Sequence, residues 1–284
     1  MHEKYQQLLL KKKDGIPFSV LTAYDYPTAR ILQEADVDVI LVGDSVGTNV
    51  LGYESEREVT MADMVHHLGA VMRGAPQSYL MVDLPYASAS DPETAFDNAE
   101  TLINAGAHIV KIEGWGEKKA VVGHLAKRNM AVCAHIGYNP QYHGPKGRVF
   151  GKDAAGAREL IDVAETLEQA GAAMLLVEKV PEEVCGIITE RSSIPVIGIG
   201  SGRFSDAQVL VVHDVIGLGW RTFRHAKAYA DIRMATAGAV RQFVSEVTDR
   251  TFPGEKHVNH LNSDVLSEIE TCLEKKKNGI SSNN

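Results

Sequence analysis

The sequence predicts a (β/α)8 TIM barrel, and three observations point to it. Eight apolar runs of strand length can be counted, segments with apolar residues at three- and four-residue steps lie between them, and the runs stay apolar along their length. Strands that are apolar on both faces belong in a parallel sheet covered by helices on one side and filled on the other. Such barrels commonly reach about 250 residues as one unit, which suits a chain of 284. A doubly wound open sheet is the alternative that the same alternation allows.

In chain order, the opening MHEKYQQLLLKKKDG is too polar, and its apolar run too short, for a secretory signal. The strand candidates are residues 18–23, 37–42, 79–83, 108–113, 130–135, 173–178, 195–200 and 209–214. Between them, TARILQEA, ADMVHHLGAVMRG, DPETAFDNAETLINAG, EKKAVVGHLAKR and AAGARELIDVAETLEQAG carry helical periodicity. Asp91-Pro92 offers an N-cap followed by proline at the first helical position, while Gly106 and Gly171 stand where a left-handed C-terminal residue is wanted. Residues 137–152, rich in Gly, Pro and polar groups, read as a mobile loop over the site. Residues 223–248 read as one long helix. The expected organisation is a single catalytic barrel domain over 1–257, then a C-terminal helix and disordered polar tail over 258–284.

Composition narrows the partners. A net charge of −8 speaks against a groove that tracks nucleic-acid phosphates. No apolar run approaches the ~18 residues of a membrane span, so a cytoplasmic location is expected. Three widely separated cysteines, Cys133, Cys185 and Cys272, read as reduced thiols, with Cys133 a small core residue in MAVCAH.

In a barrel of this kind the catalytic groups project from the C-terminal strand ends into one mouth. Those ends carry Asp44 and Ser45, Asp83, Lys111 and Glu113, His135, Glu178, and His213-Asp214. Lys111 and Glu113 are two apart on one strand and share a side. A lone acidic residue there is usually a helix cap, but three converging carboxylates with a single lysine would repel one another unless a cation sat among them. Oxygen donors without cysteine suit a hard ion, Mg2+ first. A 2-oxo acid, whose carboxylate and keto oxygen form a five-membered chelate, would fit such an ion, which then favours enolate formation. Glu178, after the apolar AMLLV, is the expected base, and His135 the expected donor to the developing oxyanion or the substrate carboxylate. His66-His67 reads as a packing or solvated pair, and GIGSG (198–202) as either a phosphate cradle or a turn.

The segments LTAYDYPTA (21–29), LVGDSVG (41–47), VTMADMVHH (59–67), VDLPY (82–86), AGAHIVKIEG (105–114), HIGYNPQ (135–141), VIGIGSG (196–202), VHD (212–214) and FPGE (252–255) closely resemble the ketopantoate (3-methyl-2-oxobutanoate) hydroxymethyltransferase family of pantothenate biosynthesis. The resemblance runs from about Lys13 to about His257. It implies a TIM barrel that moves a one-carbon unit from 5,10-methylenetetrahydrofolate onto 3-methyl-2-oxobutanoate with Mg2+, in a homo-oligomer, usually a decamer. It also implies Asp44, Asp83 and Glu113 as metal ligands, Asp44, Ser45, Asp83 and Lys111 as contacts to the oxo acid, and Glu178 as proton acceptor. The chain departs from the family pattern in YNPQ and the short loop after it (138–152) and in GLGWRTFRHAKAY (217–229). A related hydroxymethyltransferase, or a metal-dependent aldolase or lyase on a different 2-oxo acid, is the alternative reading.

Overall fold

A computed structural model describes residues 2–144 and 147–280. Eight parallel strands close into a barrel in sequence order. They are β1 (Phe18–Thr22), β2 (Val39–Val42), β3 (Tyr79–Asp83), β4 (Ile109–Glu113), β5 (Val132–Gly137), β6 (Met174–Glu178), β7 (Val196–Ile199) and β8 (Ala207–Leu210). The fold expected from the sequence is the one observed. Helix α1 (Glu3–Lys13) precedes the barrel, and α2 (Tyr26–Glu34), α3 (Met61–Gly74), α4 (Pro92–Asn104), α5 (Lys119–Lys127), α6 (Pro140–His143), α7 (Ala154–Gln169) and α8 (Glu182–Arg191) lie between strands. β7 and β8 are joined without a helix, and α9 (Val212–Val215) follows β8.

The uniformly apolar strands serve two cores. Val39, Tyr79, Met81, Ile109, Cys133, Met174, Leu176 and Ile197 share one buried cluster inside the barrel, while Ile40, Val42, Leu80, Val82, Val110, Ile112, Leu175 and Val177 pack with helix residues such as Leu68, Leu102, Leu125 and Leu167. Neighbours along a strand therefore face opposite layers, as the two-residue period requires. Continuing the inward rows toward the C-terminal ends brings Asp83, then Lys111 and Glu113, then His135, then Glu178. The helices start where side-chain caps supply acceptors for orphan amides: Asp25 for Thr28, Asp91 for Glu93 and Thr94, Asp153 for Ala155 and Gly156. Thr60 and Asp63 form a reciprocal capping box on α3.

Several boundaries differ from expectation. The fifth strand starts two residues later than 130 and extends through Ile136 and Gly137, so His135 lies inside it. The eighth was expected over 209–214; it ends at Leu210, because the Val212 amide turns to the Thr22 hydroxyl (3.0 Å) and the chain enters α9. His213 and Asp214 thus belong to a short helix and not to a strand end. The helix expected over 223–248 begins only at Ile232, since residues 217–230 fold back with the Tyr229 amide donating to the Val215 carbonyl at 2.8 Å. Within 137–152, α6 and the buried Tyr138, Asn139, Gln141 and Phe150 replace part of the expected loop, and positions 145 and 146 lie outside the described residues.

The chain divides into two compact units, Met1–Asp231 with the barrel and Ile232–Asn284 with α10 (Ile232–Thr248) and α11 (Ser263–Ile280). The boundary read from the sequence at 257 falls in the second unit, and of the expected polar tail, 281–284 lie outside the described residues. Among the described residues no helix is long and apolar enough to cross a membrane. Cys133 and Cys185 are buried free thiols and Cys272 is an exposed one.

Candidate active site

Asp83, Lys111, Glu113 and His135 come together at the C-terminal mouth because the strand register sets Asp83 beside Lys111 and Glu113 beside His135. The Lys111 ammonium lies 2.9 Å from Asp83 Oδ1, 3.6 Å from Glu113 Oε1 and 3.5 Å from His135 Nδ1. The other ring nitrogen, His135 Nε2, is buried, makes no hydrogen bond, and faces Glu178 Oε2 at 3.4 Å. Lys179 Nζ stands 3.9 Å from the second Glu178 oxygen. Directly after Glu178 the chain turns sharply, with Lys179 at φ +48°. Gly137 makes this corner possible: its φ is +88°, and a Cβ there would fall 2.3 Å from the Glu178 carbonyl, which accepts a hydrogen bond from the Tyr138 amide.

Asp44 and Ser45 lie just beyond β2, in the turn after Gly43. The Asp44 amide donates to Asp83 Oδ2 at 2.9 Å, bringing the two aspartates together. Ser45 Oγ is 2.9 Å from the Tyr24 hydroxyl, itself on a fully buried side chain. Gln141, in the YNPQ segment, joins the site through contacts that its local sequence does not reveal. Its side-chain amide donates to Asp44 Oδ2 (2.7 Å) and to the Leu84 carbonyl (3.1 Å), and its backbone amide donates to Glu113 Oε2 (2.9 Å). The signal was Pro140, which starts a one-turn helix right after a strand end and aims the next residue back at the mouth.

Burial dominates the electrostatics. Asp44, Asp83 and Glu113 are 4%, 2% and 3% exposed, and loss of water pushes Asp44 up to about 6 and Asp83 and Glu113 up to about 7. Neighbouring carboxylates add to the rise and Lys111 opposes it. For Lys111 burial works against the charge, but Asp83, Glu113 and Asp44 outweigh it and hold the ammonium protonated. Burial, then the Lys111 charge, lowers His135, which keeps the ring neutral. Three carboxylates face one ammonium, so full ionisation leaves uncompensated negative charge in a dry pocket.

A hard divalent cation suits that set, which offers carboxylate oxygens and no thiolate. Among the described residues no three His, Cys, Asp or Glu stand close enough together to hold a metal ion as they are; Asp83 contacts Lys111 and Asp44 accepts from Gln141. His213 and Asp214 belong to α9, where the His213 ring lies tilted 5.6 Å from the Tyr24 ring. His66 and His67 form an edge-on ring pair, with His67 Nδ1 2.7 Å from the Tyr24 carbonyl. In GIGSG the first two residues end β7 and Gly200-Ser201-Gly202 turn away from it, with Ser201 Oγ donating to the Val177 carbonyl and accepting from the Val180 amide.

Residues 2–255 match the family model described as ketopantoate hydroxymethyltransferase. The chain belongs to the ketopantoate hydroxymethyltransferase family. It is 43% identical over 254 residues to the 3-methyl-2-oxobutanoate hydroxymethyltransferases of Bacillus cereus (strain G9842) and Bacillus anthracis (strain CDC 684 / NRRL 3495), covering 88% of this chain and 91% of each relative. Membership makes it an enzyme of the ketopantoate hydroxymethyltransferase type. Solved structures share the barrel at low identity. A phosphonopyruvate hydrolase in complex with oxalate and Mg++ aligns at TM-score 0.61 and 12% identity over 99% of both chains. A 2,3-dimethylmalate lyase of the PEP mutase/isocitrate lyase superfamily aligns at TM-score 0.57 and 14% identity over 100% of both.

Proposed function

We propose that this enzyme transfers a hydroxymethyl group from 5,10-methylenetetrahydrofolate to 3-methyl-2-oxobutanoate, giving 2-dehydropantoate, with Asp44, Asp83 and Glu113 holding Mg2+. The observation that carries the reading is the buried cluster itself: three carboxylates, one lysine and a neutral histidine facing a glutamate across 3.4 Å, in a chain of this family. A bound divalent cation would polarise the keto oxygen of the oxo acid and make its C3 hydrogen more acidic.

The protein's own groups do the rest. Lys111 and the Ser45 hydroxyl receive the substrate carboxylate. Glu178 removes the proton from C3, and His135 Nε2, buried and without a hydrogen-bond partner, donates to the developing oxyanion. C3 of the enolate then bonds to the methylene carbon carried by the folate. As that bond forms, the carbon's bond to one folate nitrogen breaks and this nitrogen takes up the proton that Glu178 removed; water then displaces the second folate nitrogen, its oxygen staying on the carbon as the hydroxyl with one proton while its other proton goes to that nitrogen. The same proposal includes a cytoplasmic location and assembly as a homo-oligomer, decameric as the resemblance implies.

The reading is tested by following product from a panel of 2-oxo acids of different branching, with Mg2+, in the presence and absence of 5,10-methylenetetrahydrofolate. Folate-dependent product from 3-methyl-2-oxobutanoate, greatest among the acids, is expected. Turnover without folate would favour an aldolase or lyase, and preference for another acid would move the reaction to a related substrate.

A further inference from the structure

We infer that Gln141 is a positioning residue that sets the spacing of the Asp44 and Glu113 carboxylates so that the two accept a divalent cation together. The inference rests on the metal reading above. Asp44 is not on a strand; it sits in the turn past β2, where the sheet ladder does not fix its side chain. Glu113 closes β4, two strands away around the barrel. Gln141, 3% exposed, is held to both: Nε2 to Asp44 Oδ2 at 2.7 Å and the backbone amide to Glu113 Oε2 at 2.9 Å. The second Nε2 proton goes to the carbonyl of Leu84, the residue after β3, at 3.1 Å. One residue of the β5–α7 connection thereby ties the ends of three adjacent strands.

The chemistry of the side chain fits the task. A primary amide supplies two protons and no charge. A lysine here would compete with a cation for the same carboxylates, and a glutamate would add a fourth like charge. Gln141 is itself anchored from outside the site. Arg57 Nε donates to the Gln141 carbonyl at 2.6 Å and Arg57 Nη2 to the Tyr142 carbonyl at 2.9 Å. Arg57 sits in the turn Glu56–Glu58, fixed by a reciprocal Ser55–Glu58 cap, with its guanidinium 5.2 Å from the centre of the Tyr86 ring. On the opposite side, Asn139 Nδ2 donates to the His135 carbonyl at 2.9 Å and fastens the connection to β5. A path of directed hydrogen bonds therefore runs from Arg57 through Gln141 to two of the three candidate ligands, and groups of this kind orient metal ligands without touching the metal.

The test is calorimetric titration of Mg2+ into the full chain, for the wild type, Gln141→Met and Arg57→Met, with melting curves and KM for the oxo acid measured beside it. Methionine keeps the volume and the backbone amide but removes both side-chain protons. The Mg2+ dissociation constant of Gln141→Met should rise by about 10- to 100-fold, the range known for residues that orient ligands. KM for the oxo acid should rise with it. Arg57→Met, distant from the carboxylates, should shift the same constant in the same direction by a smaller factor, and it carries the test if Gln141→Met fails to fold. A folded Gln141→Met, or in its place Arg57→Met, with wild-type Mg2+ affinity and only a lower melting temperature overturns the inference and leaves the metal reading standing. A wild type that takes up no Mg2+ overturns both.

Discussion

At the N-terminal end of the barrel the inward rows hold Phe18 and Tyr79 above Tyr5 and Leu8 of α1, whereas at the C-terminal end the same rows hold Asp83, Lys111, Glu113, His135 and Glu178. Only two residues separate Met81 in the apolar cluster from Leu84 past the acidic tip, and Asp83 is one of them. The floor is closed by packing. Tyr79 stacks on His108 at 5.3 Å, the His2 ring covers His108 at 4.3 Å, and the Tyr5 hydroxyl donates to the Ala173 carbonyl. The mouth is closed by charge that is buried and only partly compensated, which lowers stability. One scaffold thus separates an apolar end that holds it together from a charged end, the face at which barrels of this kind gather their catalytic groups.

The sharpest way to break this division is to cut the floor. Tyr79, 1% exposed, replaced by alanine should lower unfolding free energy by about 3–5 kcal/mol, the usual loss for a buried aromatic side chain. Urea denaturation would measure it. The folded fraction should keep its Mg2+ affinity, and an equal loss there would mean that the two ends are not separable.

A smaller effect should appear as opposite responses to pH. Asp44 is raised to about 6, and Asp83 and Glu113 to about 7, above their usual range. The folded, metal-free protein therefore keeps protons that the unfolded chain has already released. The mouth's contribution is complete below about pH 4 and is lost as pH rises through about 6 to 7. At the floor, burial lowers His108 to about 4, with the charges of His2 and Lys4 adding to the effect. Here the unfolded chain takes up a proton that the folded one refuses, so His108 contributes above about pH 6.5 and the contribution is lost as pH falls toward about 4. Urea denaturation from pH 4 to 8 should show both. Asp44→Asn, which removes one buried charge, should recover on the order of 1–3 kcal/mol at pH 8, and His108→Asn should reduce the loss on acidification. Unchanged pH profiles in these variants would contradict the assignment of charge to the mouth and packing to the floor.

Much of this division was written in the chain. Val39–Val42 running into Asp44, and Tyr79–Leu80–Met81–Val82 into Asp83, mark strand and mouth together, because several apolar runs that each stop at a carboxylate are hard to explain by helix capping alone. VLVVHD has the same apolar-to-polar pattern yet does not end a strand at His213, because periodicity cannot report that Thr22 draws the Val212 amide out of the ladder. Gln141 was hidden differently. Its role depends on meeting Asp44, 97 positions away, and Glu113, 28 positions away at the end of the neighbouring strand β4, and such contacts leave no local periodic trace. The connection at 137–152 looked like loop because Gly137 and Pro140 are loop residues by composition, while here one permits the approach to Glu178 and the other starts α6.

In the proposed reaction Glu178, 3.4 Å from His135 Nε2, takes the C3 proton of the oxo acid. The most direct measurement follows exchange of that hydrogen in D2O by NMR, with 3-methyl-2-oxobutanoate and Mg2+ but no folate, in wild type and Glu178→Gln. Exchange by the wild type, and a drop of about 100- to 10,000-fold in the variant with oxo acid binding retained, is the expected result. Exchange at the wild-type rate in Glu178→Gln would contradict it.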